Sequence, residues 1–305
     1  MAPRRQQTRP VSLDLGEPRG ASRGASLTPA GRPHDLTGLL PETGRDGGIV
    51  MVKRILFFAY GILSYLIFLG TFLYALGFVG NFGVPRTLDG PASEPLWAAL
   101  AVDAGLLALF AVQHSVMARR WFKDWWARFV PRPLERSTYV LFSSLALLLL
   151  FWQWRPLGGV VWSVENPAGQ FVLWALFAFG WGLVLVSTFL INHFDLFGLR
   201  QVWLHLLGRP YAPLWFGTPG PYRLVRHPLY VGWLFAFWMT PRMTLTHLLF
   251  SAATTAYILI AIRFEERDLL REHGETYEQY RRSVPMLVPF ARTRPGAAAL
   301  ADEKG

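Results

Sequence analysis

The chain has 305 residues, of which 52% are hydrophobic, 15% aromatic and only 16% charged, with a net charge of +10 and no cysteine. Typical soluble domains carry about 25% charged residues, so a water-soluble globular enzyme and a wholly disordered chain are both excluded. The missing cysteines exclude disulfide frameworks, Cys-ligated zinc, iron–sulfur clusters and thiol nucleophiles.

Residues 1–48 are rich in Pro, Gly, Ser, Thr and Arg and show no apolar periodicity. Such a stretch cannot bury enough surface to offset chain entropy, which predicts a disordered extension over residues 1–50 ahead of Met51. No apolar core and small-residue cleavage site make it a signal peptide. Its basic residues are scattered among prolines and do not form a nucleic-acid-binding arm, so no nucleic-acid partner is expected.

A bilayer core of about 30 Å takes about 20 apolar helical residues to cross. Ile55–Val79 carries no charge, Leu96–Met117 a single acid (Asp103), and Thr138–Trp154 and Gln170–Ile191 carry none. These are four predicted spans. The next apolar block, Leu229–Ile262, has 34 residues with Arg242 as its only charge. At about 1.5 Å per residue it would be about 51 Å of helix, too long for one crossing. Pro241 in its middle removes a backbone donor and clashes with the preceding turn. The block therefore reads as a hairpin: a short helix to about Thr240, a turn at Pro241–Arg242, and a return helix to about Ile262.

The expected architecture is an all-α integral membrane bundle of four spans plus this C-terminal hairpin, followed by a cytoplasmic helical tail. Residues 51–290 form the membrane domain and 291–305 a disordered tail. The segments between apolar blocks, taken alternately, hold 27 of the 30 Lys and Arg on one side and three on the other. The positive-inside rule then puts both termini in the cytoplasm and makes the bilayer the chain's main partner.

Several chemistries are excluded by their missing motifs: there is no dinucleotide-binding glycine run, no phosphate loop and no nucleophile elbow. The seven histidines form no close cluster, so no metal site is expected. Only Asp103 lies deep in a span and no internal repeat is visible, which argues against a transporter. Asp103 is read as a helix–helix hydrogen-bonding group.

Polar residues instead gather at the cytoplasmic ends of the second half. Tyr222, Arg226, His227 and Tyr230 lead into the hairpin's first helix, and Glu265 and Glu266 follow its second. Pro228 suits the first position of a helix, whose free N–H groups favour an anionic ligand. An isolated Arg-His-Pro reads as an interfacial anchor. Facing paired carboxylates across a hairpin, it suits a ligand carrying both an amino acid and a nucleoside. Adjacent helical residues point about 100° apart, so one of the two glutamates is expected to pair with Arg263 or Arg267 on a solvated helix face. His227 and Glu265 are expected at the membrane boundary, within reach of water.

Three further residues carry two readings each. His114, at the end of the second span, is either an interfacial histidine or a group in the reaction. In Asn192-His193-Phe194-Asp195 the turn either simply ends a helix or puts His193 near an acceptor pocket, with Asp195 orienting it as a base. His205 is expected at the surface, and His247 on the outer half of the return helix, away from chemistry.

The run Arg226-His227-Pro228-Leu229-Tyr230-Val231-Gly232, with Glu265-Glu266 and Gly274, Tyr277 and Tyr280 beyond, resembles the isoprenylcysteine carboxyl methyltransferase type of membrane methyltransferase. Gln113-His114-Ser115-Val116-Met117-Ala118, Glu135-Arg136-Ser137-Thr138-Tyr139-Val140, Phe151-Trp152-Gln153-Trp154 and Asn192 to Gln201 resemble, more closely, the membrane methanethiol S-methyltransferases. The resemblance covers nearly all of 51–290. It implies S-adenosylmethionine as methyl donor, held by Tyr222, Arg226, His227, Tyr230, Glu265 and Glu266, with no metal. It implies methanethiol or another small thiol as acceptor, with His114, His193 and Asp195 in the reaction and dimethyl sulfide as product. No obligate protein partner is evident. The alternatives are the same fold acting on a prenylcysteine carboxylate or a lipid amine, or a non-catalytic membrane scaffold.

Overall fold

The computed structural model describes residues 46–291 apart from 93, 215 and 216. The expected extension over 1–50 and tail over 291–305 therefore lie outside the described residues, except at their inner edges. Helix α1 (Asp46–Gly80) includes the last five residues of that extension. Ile49, Val50 and Val52 continue the apolar sequence, and adding residues to an existing helix costs far less than starting one.

The chain continues through α2 (Leu96–Met117), the short α3 (Arg120–Trp126), α4 (Arg132–Gln153), strand β1 (Val160–Ser163) and α5 (Pro167–Ile191). It then forms α6 (His193–Leu196), α7 (Leu199–Leu206), α8 (Pro228–Trp238), strand β2 (Arg242–Thr244), α9 (Leu245–His273) and α10 (Glu275–Ser283). Helices α1, α2, α4, α5 and α9 are long and apolar enough to cross a membrane. The protein is a mostly helical, multi-pass membrane protein. Leu56, Leu66, Leu73 and Phe171 are each more than half exposed, an apolar surface suited to lipid.

Two expectations need correction. The fold is not purely helical, because β1 and β2 pair antiparallel with Val160 opposite Thr244 and Ser163 opposite Arg242. Once Pro241 interrupts the helical chain, the backbone groups that follow need partners, and the α4–α5 loop supplies them. The return helix also runs past Ile262 without a break to His273. Gly274, at φ +54°, ends it. Helix α8 has eleven residues, about 16 Å of helix, too short to cross.

Helices α5 and α8 cross with backbone almost touching backbone. A Cβ on Gly180 would lie 2.6 Å from Ala236 N and 2.8 Å from Gly232 O, and one on Gly232 would lie 2.8 Å from Gly180 O. Only glycine permits this approach, a recurring device in membranes where small residues let helices close. Around the crossing, Phe78, Phe151, Trp154, Phe177, Trp181, Ala236 and Phe250 form the core.

The loop after α1, strand β1 and strand β2 meet at one end of the bundle. Thr244 donates to the Asp89 carboxylate, and Trp154 Nε1 donates to the Leu88 carbonyl at 3.1 Å. His247 is here, only 1% exposed, with Nε2 at 2.8 Å from the Phe237 carbonyl and Nδ1 at 3.4 Å from Asp89. Asp103 is buried and accepts from Arg155 N at 2.9 Å, joining α2 to the chain just beyond α4.

Candidate active site

The opposite end collects charge. A 3-10 turn over Gly220–Arg223 leads to α8, where Pro228 occupies the first turn and His227 is the N-cap residue without a capping hydrogen bond. Its side chain is thus left for other partners. The backbone N–H groups of Arg226 and His227 donate to Pro285 O at 2.8 Å and Met286 O at 3.2 Å, fastening the segment after α10 to the start of α8.

Side chains complete the clamp. Arg226 Nε donates to Glu266 Oε1 at 2.7 Å, and Arg226 Nη1 donates to the carbonyls of Arg281 at 2.9 Å and Val284 at 2.7 Å. The guanidinium so satisfies carbonyls that the end of α10 leaves unpaired. His227 Nε2 lies 3.0 Å from the same Glu266 oxygen. The Arg226 and Glu266 side chains are 10% and 13% exposed, so this is a largely buried pair whose geometry matters.

Glu266 thus pairs with Arg226 across the clamp, in a largely buried setting, rather than with Arg263 or Arg267 on a solvated face of its own helix. Glu265 points elsewhere, as the helical offset requires. Its carboxylate is 46% exposed and 3.9 Å from His227 Nδ1, and it interacts with the Tyr230 hydroxyl. One expectation fails here: Glu265 is open to water but His227, at 4% exposed, is not. Proline at the next position and the α9 carboxylate draw the imidazole inward. Tyr280 donates to the Tyr222 carbonyl at 2.6 Å, and the buried Tyr222 hydroxyl faces Ser187 without closing a hydrogen bond. Burial pushes the Tyr222 and Tyr277 hydroxyls well up, helped by Glu265 and Glu266 respectively, and raises Tyr280 to about 12. All three therefore stay protonated donors at neutral pH.

His114 adjoins this end. Arg119 Nη1 donates to Asp268 at 2.9 Å and Arg120 sits 3.6 Å from Glu272, tying the end of α2 to the lower part of α9. The His114 ring stacks on Phe110 at 5.2 Å; Tyr139 Oη lies 2.9 Å from its Nε2 and 3.1 Å from its Nδ1, and Ser143 Oγ lies 3.2 Å from Nδ1. Ser115 and Tyr257 hydroxyls are 3.1 Å apart beside it. Tyr230 on α8 lies near Tyr139 and Tyr257. A cleft lined by Met117, Phe122, Lys123, Trp126, Glu135 and Arg136 reaches Tyr139 from outside.

His193 and Asp195 are not brought together. His193 Nε2 meets Tyr65 Oη at 2.8 Å and Nδ1 meets Thr188 Oγ1 at 2.9 Å, while its ring stacks on Phe189 at 4.3 Å. Burial holds this imidazole below its ordinary value. Asp195 instead accepts from Arg200 Nη1 at 2.9 Å and from the Tyr211 hydroxyl at 3.3 Å. The base-and-orienter pair expected from sequence is thus absent, because both residues lie on α6 two positions apart, where side chains point about 200° from one another. Asn192, at φ +107°, ends α5 and caps the start of α6 by accepting from Asp195 N at 3.1 Å. His205, expected at the surface, is half-buried against Phe57. His34 lies outside the described residues. Among the described residues no group of three or more His, Asp or Glu is placed to hold a metal ion.

The chain is 59% identical over 239 residues to the methanethiol S-methyltransferase of Crocosphaera subtropica, a match spanning 78% of this chain and 94% of that one. It is 56% identical over 239 residues to the methanethiol S-methyltransferase of Mycobacterium tuberculosis, spanning 78% and 98%. The chain belongs to the methanethiol S-methyltransferase family. Nurim of Sus scrofa is more distant, 33% identical over 206 residues, spanning 61% of this chain and 78% of that one. No family model and no solved structure matches the chain.

Within this methyltransferase, sequence reasoning reached both arms of the Arg226–Glu266 clamp but missed the hydroxyl cluster. Tyr139, Ser143 and Tyr257 are three ordinary-looking positions on two apolar helices. The available signal was the pair of runs Gln113–Ala118 and Glu135–Val140, which the fold joins through His114 and Tyr139. Gly232 also had a role that its motif did not reveal, as half of the α5–α8 contact.

Proposed function

We propose that this protein transfers a methyl group from S-adenosylmethionine to the sulfur of methanethiol, giving dimethyl sulfide. The observation that carries this reading is the convergence of Arg226 and His227, at the start of α8, on Glu266 of α9, with Glu265 and Tyr230 alongside. The methanethiol S-methyltransferase relatives, alike over nearly their whole length, support it. When bound, the donor supplies an already activated methyl on a positively charged sulfur.

The residues fit such a donor. A half-exposed carboxylate at Glu265 and the unsatisfied, buried Tyr222 hydroxyl suit a ligand with ammonium and hydroxyl groups. In this reading His227, Tyr230, Glu265, Glu266 and Tyr222 hold the donor, and Arg226 fixes Glu266 for them. His114 stands on the thiol's side. His193 and Asp195 are assigned to the α5–α7 corner, where their partners lie. No cysteine is needed, since the protein's task is to align the reacting atoms and exclude water. The decisive experiment supplies purified protein with S-adenosylmethionine and methanethiol and measures dimethyl sulfide by gas chromatography. Product is expected; none, with donor binding intact, would point to another acceptor.

We also infer four spans plus an α8–α9 hairpin, with both termini, α10 and the clamp cytoplasmic. The 27 basic residues on one side support this. So does the meeting at one end of the three segments that carry the other three: the loop holding Asp89, the loop holding β1 and the turn holding β2. Reporters fused after Gly305 should behave as cytosolic and those within 155–169 as external. The catalytic unit is taken as 51–290, so a chain shortened to begin at Met51 should keep its specific activity.

A further inference from the structure

A thiol is a poor nucleophile until it loses its proton, so thiol methylation needs somewhere for that proton to go. Resting on the proposed function, we propose that Tyr139 takes the thiol proton while passing its own to His114 Nε2, making the Tyr139–His114 pair the base of the reaction.

The tautomer this requires is supported by the far side of the ring. Ser143 Oγ already accepts from Gln113 Nε2 at 3.4 Å and has a second lone pair for Nδ1–H of His114 at 3.2 Å. With the ring proton on Nδ1, the acceptor is Nε2, the nearer of the two ring nitrogens to Tyr139 Oη at 2.9 Å against 3.1 Å for Nδ1. The Arg136 guanidinium lies 5.8 Å over the Tyr139 ring, positioned to steady the oxygen as its proton departs. Tyr139 also lines the outer cleft, and Tyr230, which borders Glu265, lies near it.

The step balances. The S–H bond breaks and its electron pair stays on sulfur, where it forms the new bond to the methyl carbon. That carbon's bond to the donor sulfur breaks, and the pair remains on the donor sulfur. Tyr139 gains one proton and gives one up, and His114 ends as imidazolium. The positive charge lost from the donor sulfur thus reappears on the imidazole, so the number of buried charges is unchanged. For an apolar site this matters, because creating a new buried charge is costly.

The test compares Tyr139→Phe and His114→Gln with the parent in detergent. Tyr139→Phe keeps the ring and its contact with Arg136. With methanethiol near neutral pH both variants should lose at least about 100-fold in kcat/KM. The loss should shrink by about tenfold per pH unit as the thiolate forms in solution, while donor affinity by calorimetry stays within a fewfold. Independently of turnover, nitrogen-15 NMR of His114 in the parent should show the proton on Nδ1. A loss that does not change with pH, or a proton on Nε2, overturns the relay alone. A parent that makes no dimethyl sulfide at any pH overturns the function and the relay together.

Discussion

The two ends of the bundle each bury a histidine beside carboxylates, and they are built for different ends. At the weakly charged end His247 is held by Asp89 and the Phe237 carbonyl, and Asp89 is further occupied by Thr244 and Asn81. Every one of these groups faces a neighbour in the chain. At the basic end His227 shares Glu266 with Arg226, but Glu265 remains half exposed and the Tyr222 hydroxyl closes no hydrogen bond. A buried histidine–carboxylate contact is therefore no mark of a site. The polar capacity left over beside it is.

The sharpest way to break the comparison is Glu266→Ala. It strands the largely buried Arg226 and His227, and losing one partner of such a pair costs about 3–5 kcal/mol. A marked fall in thermal stability and loss of donor binding are expected together, with Glu266→Gln recovering part of both. Thermal unfolding and calorimetry in detergent read the two effects separately.

Glu265→Ala should separate binding from stability. Its carboxylate is half exposed, so folding should be unaffected, while removal of a hydrogen bond to a charged group costs about 1.5–3 kcal/mol, or about 10- to 150-fold in donor affinity. Unchanged affinity would mean that the leftover capacity at this end serves something else.

The converse holds for His247→Phe. It leaves Asp89 and a carbonyl short of a partner, for about 1–3 kcal/mol of stability, with donor affinity unchanged within a fewfold. A large drop in affinity would erase the distinction between the two ends.

The smallest effect concerns His193. Burial lowers its pKa, so as pH falls through about 6.5 the unfolded chain binds a proton before the folded one does. Its stability cost is absent above that pH and grows below it. His193→Gln should therefore flatten the fall in melting temperature between about pH 7 and 5. An equally steep fall would assign the acid sensitivity to other groups.

The amino-acid sequence determined the spans, because the need to satisfy backbone groups in lipid leaves long apolar helices as the solution, and their lengths are countable. It determined the clamp's members too, since Arg226–Pro228 and Glu265–Glu266 flank a block that Pro241 must fold in half. Which glutamate turns inward was left open at that level, and the angle between α8 and α9 decided it for Glu266. The tertiary structure alone gave His193 and Asp195 different neighbours, by starting α6 at His193 so that the two point to opposite sides, and brought Tyr139 to His114 from 25 residues away. It also paired β1 with β2, three- and four-residue strands with no pattern of their own. Short polar contacts between helices depend on rotation and offset of rigid cylinders, and hydrophobic periodicity fixes a helix's apolar face far more tightly than it fixes those two quantities.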